Sequence, residues 1–491
     1  MNGLYILFIL AAYFGILIII SHLTAHHPDN DTFFRGNRRS PWPLVAFGMI
    51  GASLSGVTFV SVPGMASSID MTYLQTCMGF FVGYIIIAHV LLPLYYRLNL
   101  TSIYTYLEGR FGSRTYHTGT SFFLLSKLLG ASLRLYLVCL ILQHFIFDAL
   151  HIPFFVTVTG ILCLIWLYTH RSGIRTIVWT DSLQTFCLLL TLILILIQVA
   201  SLLGLDAKET WETITNNKHC RIFVFDDWIS KQNFFKQFFS GIFITIVMTG
   251  LDQDMMQKNL TCRNLKSAQK NMYCYGLSFL PVNFLFLALG ILLMLLAQHL
   301  NIPVPERGDD LLPAFAAGGI LGNGVLICFT VGILAAAFSS ADSALTALTT
   351  SVCVDFLKTE RMSKSLAEHK RKLVHLILSL LFIVCILLFK TINSPSVIDT
   401  LYTMTSYTYG PLLGLFTFGL FTRRLPQDRY VPYIAIASPI ICYCLNRIVS
   451  LLTHYQFGYE LLMLNGLLTF IGLACLSIHP LKTSSNGNNQ R

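Results

Sequence analysis

Charge is what this sequence has least of. Only 11% of its 491 residues are Asp, Glu, Lys or Arg, less than half the ~25% typical of soluble domains. A soluble chain with 55% hydrophobic residues could not hide so much apolar surface. Other absences narrow the reading further. There is no Walker loop, no G-x-G-x-x-G after a strand and no H-E-x-x-H, so nothing is built to cradle a nucleotide phosphate or hold a catalytic zinc. An ATP-driven pump and a membrane metalloprotease therefore have no support. The thirteen cysteines lie almost entirely inside apolar runs with no C-x-x-C pair. They read as small core residues rather than a disulfide framework. No polar stretch is long enough for a soluble domain. The longest, about 205–235, carries Trp211 and Trp228 and is expected to form a short helix over the bundle. Residues 484–491 are polar, and a disordered cytoplasmic tail is expected there.

What is present is apolar run after apolar run, each about the ~20 residues that span a bilayer core. Thirteen spans are expected, approximately 4–20, 43–67, 74–96, 119–147, 152–169, 176–204, 236–256, 272–298, 312–355, 372–390, 397–420, 430–452 and 459–478. The first lacks a basic n-region and a small-residue cleavage site, so a retained helix is expected rather than a signal peptide. Residues 1–483 thus form one transmembrane domain.

Alternating the loops between two sides sorts the basic residues. One side holds Arg35, Arg38, Arg39, Arg97, Arg110 and Arg114, then Arg171, Arg175, Lys258, Arg263, Lys266 and Lys270. Further along it holds Lys358, Arg361, Lys364, Lys370, Arg371 and Lys372, and finally Arg423, Arg424, Arg429, Lys482 and Arg491. The positive-inside rule makes that side cytoplasmic, which puts the N-terminus outside and the C-terminus inside a plasma (inner) membrane. The net charge of +10 then reflects cytoplasmic loops and not a nucleic-acid partner.

Polar residues inside spans carry the functional signal, because an ionisable group at mid-membrane is costly. In the ninth span Ser339, Asp342 and Ser343 stand at i, i+3 and i+4, with Ser340 one step round. Their oxygens share a helix face and suit a hard cation. The run Gly51-Ala52-Ser53-Leu54-Ser55-Gly56-Val57-Thr58-Phe59, continued to Pro63 and Gly64, predicts a second span that unwinds and frees carbonyls. Asp181 lies more than a turn inside the sixth span and needs a partner; a cation shared with Asp342 would serve. A proton shared by the two carboxylates would serve as well, so these residues do not separate sodium from proton coupling.

Six segments, in order, resemble the sodium:solute symporter family: Ser55-Gly56-Val57-Thr58-Phe59, the run from Ser102 to Gly112, Trp179-Thr180-Asp181-x-x-Gln184, the run from Thr249 to Gln257, Ser339-Ser340-Ala341-Asp342-Ser343, and Tyr409-Gly410-Pro411. The resemblance runs from about Phe34 to Arg424. It implies an all-α, LeuT-type fold of two inverted five-helix repeats, approximately 43–204 and 236–420, with one extra N-terminal and two extra C-terminal helices. It also implies a monomeric carrier, with no organic cofactor, that uses sodium as its coupling ion. The principal sodium site would use carbonyls of Gly56, Phe59 and Ala336 with the hydroxyls of Ser339 and Ser340. A second position, present in some members, would map onto Asp181, Ser339, Asp342 and Ser343. Bacterial members often have Gln where this chain has Ala344.

The solute pocket is expected beside the unwound second span, with Thr58, Gln75, Cys77, Phe81, Arg134, Gln253 and Tyr409 as candidates. Arg134 lies mid-helix, seven residues after Lys127. A guanidinium fork pairs bidentately with carboxylates, which points to a sialic acid, another sugar acid or a monocarboxylate; an internal ion pair is the structural alternative. A neutral sugar or amino acid, and proton coupling, stay open at this stage. Asp252 and Asp254 are accounted for by a helix end and pairing with Lys258. A channel would need a repeated filter and an enzyme a convergent catalytic set, and neither is visible.

Overall fold

The computed structural model describes residues 3–24, 30–169, 173–391, 397–453, 455 and 457–478; the tail expected to be disordered lies outside them. Among the described residues the chain is a helical bundle whose only named strands are the two-residue pair Leu425–Pro426 and Ser477–Ile478. Seven helices are long and apolar enough to cross a membrane, or up to nine if each of two bent pairs counts as one span. Shorter apolar helices cover Ala11–Thr24, Phe154–Thr169, Gly410–Phe421 and Leu461–Cys475. The stretch around Trp211 forms the helix Ala207–Thr215, closed at its start by a capping box between Asp206 and Glu209.

Twelve helices frame the interior. They are α1 (Trp42–Ser53), α2 (Gly56–Ile69), α3 (Tyr73–Ile86) and α4 (Ser113–Leu142); α5 (Phe154–Thr169), α6 (Ile174–Leu202), α7 (Phe234–Thr245) and α8 (Gln253–Leu260); and α9 (Leu265–His299), α10 (Asn323–Ser351), α11 (Val397–Thr408) and α12 (Gly410–Phe421).

Both bent pairs break where the sequence loosens the backbone. Between α1 and α2 the chain turns by 60°, with Leu54 and Ser55 out of helical geometry. The break precedes Pro63, which sits inside α2 without interrupting it. The expected unwinding therefore falls at the serines and not at the proline. The second break, 64°, separates the segment Phe234–Gly250 from α8. There Asp252 is extended and its carboxylate accepts from the backbone N–H groups of Asp254 (2.9 Å) and Met255 (3.3 Å), the N-cap that lets a new helix start.

Close backbone approach holds the two halves together. Gly79 and Gly83 of α3 face Phe238, Gly241, Ile242 and Thr245 on or beside α7 so tightly that a β-carbon at either glycine would collide. Small residues at such a seam let membrane helices gain dispersion contact that lipid would otherwise supply.

Candidate functional site

The polar face predicted on α10 is fully inside the protein: Ser339, Ser340, Asp342 and Ser343 are all buried. Each of the four residues has a partner on another element. Ser339 Oγ donates to Asp181 Oδ1 of α6 at 2.7 Å. Ser343 Oγ lies 3.3 Å from Asp342 Oδ1 and 3.5 Å from Asp181 Oδ2. Tyr168 of α5 donates to Asp342 Oδ2 at 2.8 Å. Ser340 Oγ turns the other way, to the carbonyls of Ala336 (3.1 Å) and Ala52 (3.5 Å). Ala52 is in the last turn of α1, just before the break. Gly56 opens α2 against Val138 and Ala337, where a side chain would strike Val138. Phe59 is buried between Phe286 and Phe329. Of the five residues expected to hold the principal sodium, Gly56 thus lies near Ala337 and Phe59 near Phe329 of α10, while Ser340 reaches back to Ala52 at the end of α1.

The second group of oxygens has an occupant. Lys258, at the end of α8, reaches inward so that Nζ lies 2.7 Å from Asp181 Oδ2 and 3.8 Å from Asp254 Oδ1, with side-chain exposures of 2%, 0% and 5%. Its placement among the cytoplasmic loop charges is thereby corrected: Lys258 is an interior cation. The apolar stem and the carboxylate of Asp181 account for its position, since a buried ammonium must be paired. Pairing between Asp254 and Lys258 is also only part of the account given by sequence. Lys127 of α4 lies 2.7 Å from Asp254 Oδ2 and 3.1 Å from both oxygens of Asp252, and Tyr409 donates to Asp252 at 2.6 Å.

This charged chain ends in a cavity lined by Thr58, Tyr73, Lys127, Arg134, Asp252 and Tyr409, among others. Of the seven solute candidates, Thr58, Arg134 and Tyr409 line it. Gln75 does not; its amide donates to Gln232 O (2.9 Å) and accepts from Val224 N (3.1 Å), tying down the 221–235 stretch. Gln253 is likewise used structurally, donating to Thr101 O (2.8 Å) and accepting from Ile103 N (3.0 Å). Cys77 is buried without reaching the lining, and Phe81 is passed over for Phe80, one helical step away. On α3 the cavity is lined by Tyr73, Phe80 and Tyr84, and not by Gln75, Cys77 or Phe81. The residues it underrated, Lys127, Asp252, Asp254 and Lys258, were visible as charges in apolar context; helix-end explanations absorbed three of them.

Arg134 differs from its neighbours. Among the described residues it forms no ion pair, and its buried Nε meets no acceptor. Arg134 thus lines the cavity with a buried donor left unsatisfied, where buried polar groups ordinarily find a partner.

The profile of the sodium:solute symporter family matches residues 33–428. The sodium/sialic acid symporter NanT of Aliivibrio fischeri is 28% identical over 434 residues, 84% of this chain and 82% of that protein. The human sodium/iodide cotransporter is 26% identical over 80% of this chain, which spans 61% of that longer protein. Among solved structures, the substrate-bound outward-open state of a Na+-coupled sialic acid symporter superposes with a TM-score of 0.82 at 20% identity, covering 97% of this chain and 99% of that one.

Proposed function

The chain belongs to the sodium:solute symporter family, and from that premise we propose that it imports a small carboxylated solute with sodium by alternating access. It is a multi-pass membrane transporter and performs no chemistry on its cargo. The principal sodium binds where α2 begins and α10 passes, held by carbonyls of Gly56, Phe59 and Ala336 and the hydroxyls of Ser339 and Ser340. The hydroxyl of Ser340 lying between two carbonyls of different helices supports this reading: a cation there ties the broken helix to α10, and breaking that tie frees α1 and α2 to move.

The single observation that carries the solute class is Arg134, a cavity-lining guanidinium with an unsatisfied Nε. Lys127 is already spent on Asp252 and Asp254, so Arg134 is the cation left to meet a solute carboxylate. A sialic acid, another sugar acid or a monocarboxylate answers that chemistry, and the sialic acid and iodide carriers among its relatives also take anions.

Two 2-part helices with similar bends, 60° and 64°, open the segments 43–204 and 236–420, as two inverted five-helix repeats would require. We assign thirteen spans on that basis, with the N-terminus outside, the C-terminus cytoplasmic, the plasma membrane as location and a monomer as the working unit. The test is a thermal-shift screen of purified protein against sugars, sugar acids, amino acids and monocarboxylates, with sodium or with choline. A carboxylate that stabilises only in sodium is the expected result; stabilisation by a neutral sugar, or equal stabilisation without sodium, overturns the proposal.

A further inference from the structure

We propose that the ammonium of Lys258 takes the place of a second sodium ion, so that this carrier binds one sodium and not two. The inference rests on the principal sodium site of the preceding section and concerns the oxygens on its far side. Those oxygens are Asp181 Oδ1 and Oδ2, Asp342 Oδ1 and the hydroxyls of Ser339 and Ser343. By chemistry alone they form an oxygen set suited to a hard monovalent cation. One of these oxygens already meets a cation of the protein's own: Lys258 Nζ stands 2.7 Å from Asp181 Oδ2.

Three features make that amine a resident rather than a passer-by. It is sealed, with both Lys258 and Asp181 side chains at or below 2% exposure. Its own helix aims it, since α8 starts at the Asp252 cap and runs buried from Gln253 to Leu260. Its other neighbour is also anionic, Asp254 at 3.8 Å; moving away from Asp181 would keep it in the same buried cluster instead of releasing it to solvent. The remaining oxygens are already engaged. Ser339 Oγ donates to Asp181 Oδ1, and Ser343 Oγ lies 3.3 Å from Asp342 Oδ1 and 3.5 Å from Asp181 Oδ2. A sodium ion entering beside Asp181 would meet like charge at contact distance and find its carboxylate paired. In the principal site Ser340 stands clear of this conflict, facing Ala336 and Ala52 and not Asp181; Ser339 is the hydroxyl common to both sets.

The same lysine gives the cation region a mechanical link to the solute cavity. Asp254 is shared between Lys258 and Lys127, and Lys127 lines the cavity with Arg134. A tethered cation thus holds by covalent attachment what a second ion would hold by mass action.

The test is equilibrium binding of radioactive sodium to the purified full-length protein in lipid nanodiscs. Wild type is expected to bind one ion per chain. Lys258→Met keeps the stem and removes the charge, and it is expected to bind two; adding Asp181→Asn to it should return the count to one. Two ions on wild type overturn the inference. So does a folded Lys258→Met protein that still binds one. Should Lys258→Met fail to fold, the wild-type count decides. Failure of the underlying sodium reading is distinct: wild type would then bind none.

Discussion

Lys127 on α4 bridges two carboxylates of α8, lying 2.7 Å from Asp254 Oδ2 and 3.1 Å from Asp252 Oδ2, with its own side chain 9% exposed. The pair of acids marks the point where the seventh span breaks, because Asp252 also caps the helix that follows. One cation therefore pins a broken helix to the wall of the solute cavity.

Removing that cation leaves buried Asp254 with Lys258 at 3.8 Å as its cation, and Asp252 with Tyr409 and the backbone N–H groups that it caps. Lys127→Met should cost about 3–5 kcal/mol, the range for breaking one partner out of a buried ion pair. The expected outcome is a clear drop in melting temperature in detergent, with part of it restored by adding Asp254→Asn. If Lys127→Met melts with wild type, the bridge is not a structural element of the resting protein.

Ser340→Ala takes one hydroxyl from the proposed principal sodium site while leaving the charged cluster at Asp181 untouched. A polar contact to a charged group contributes roughly 1.5–3 kcal/mol, so the sodium concentration for half-maximal uptake should rise about tenfold or more. Uptake into proteoliposomes at stepped sodium concentrations reads this directly. An unchanged sodium dependence would remove Ser340 from the site.

At Arg134 the discriminating variant is lysine. Arg134→Lys keeps a positive charge but loses the planar fork that meets a carboxylate with two bonds, while Arg134→Gln loses both. Affinity for a carboxylated solute should fall in that order, by roughly ten- to hundredfold for the glutamine variant. The amide or ester of the same solute should lose the discrimination between wild type and Arg134→Gln. Equal affinities for acid and amide on wild type would argue for a neutral cargo.

The α3–α7 seam makes a purely structural prediction. Gly79→Val places side-chain atoms against the Phe238 carbonyl and Gly241, and backbone on the far side has no rotamer to move away. Overpacking of this kind costs about 1–3 kcal/mol or more. Reduced expression and a lowered melting temperature are expected, whereas Gly160→Val, with open space around it, should behave as wild type.

Two kinds of polar residue differ in how legible they are from sequence. The shared face of Ser339, Asp342 and Ser343 was legible in the sequence because helical spacing is local: residues at i, i+3 and i+4 share a side wherever the helix sits. Gln75 and Gln253 were misjudged because a polar residue in an apolar run announces that it needs partners without naming them. Both amides turned out to hold loops. Lys258 was counted with loop cations for the same reason, since its partner Asp181 belongs to a different span.

By itself, then, the sequence determined the solvent, the helical class, the family and the polar face of α10. Those follow from hydropathy, spacing and ordered motifs, all properties of contiguous residues. Only the tertiary structure decided which charges meet. It placed Lys258 on Asp181, Lys127 across Asp252 and Asp254, and left Arg134 with open donors. The reason is physical: in a low-dielectric interior each ion's energy is set by its nearest counter-charge, and here those counter-charges come from helices far apart in the chain.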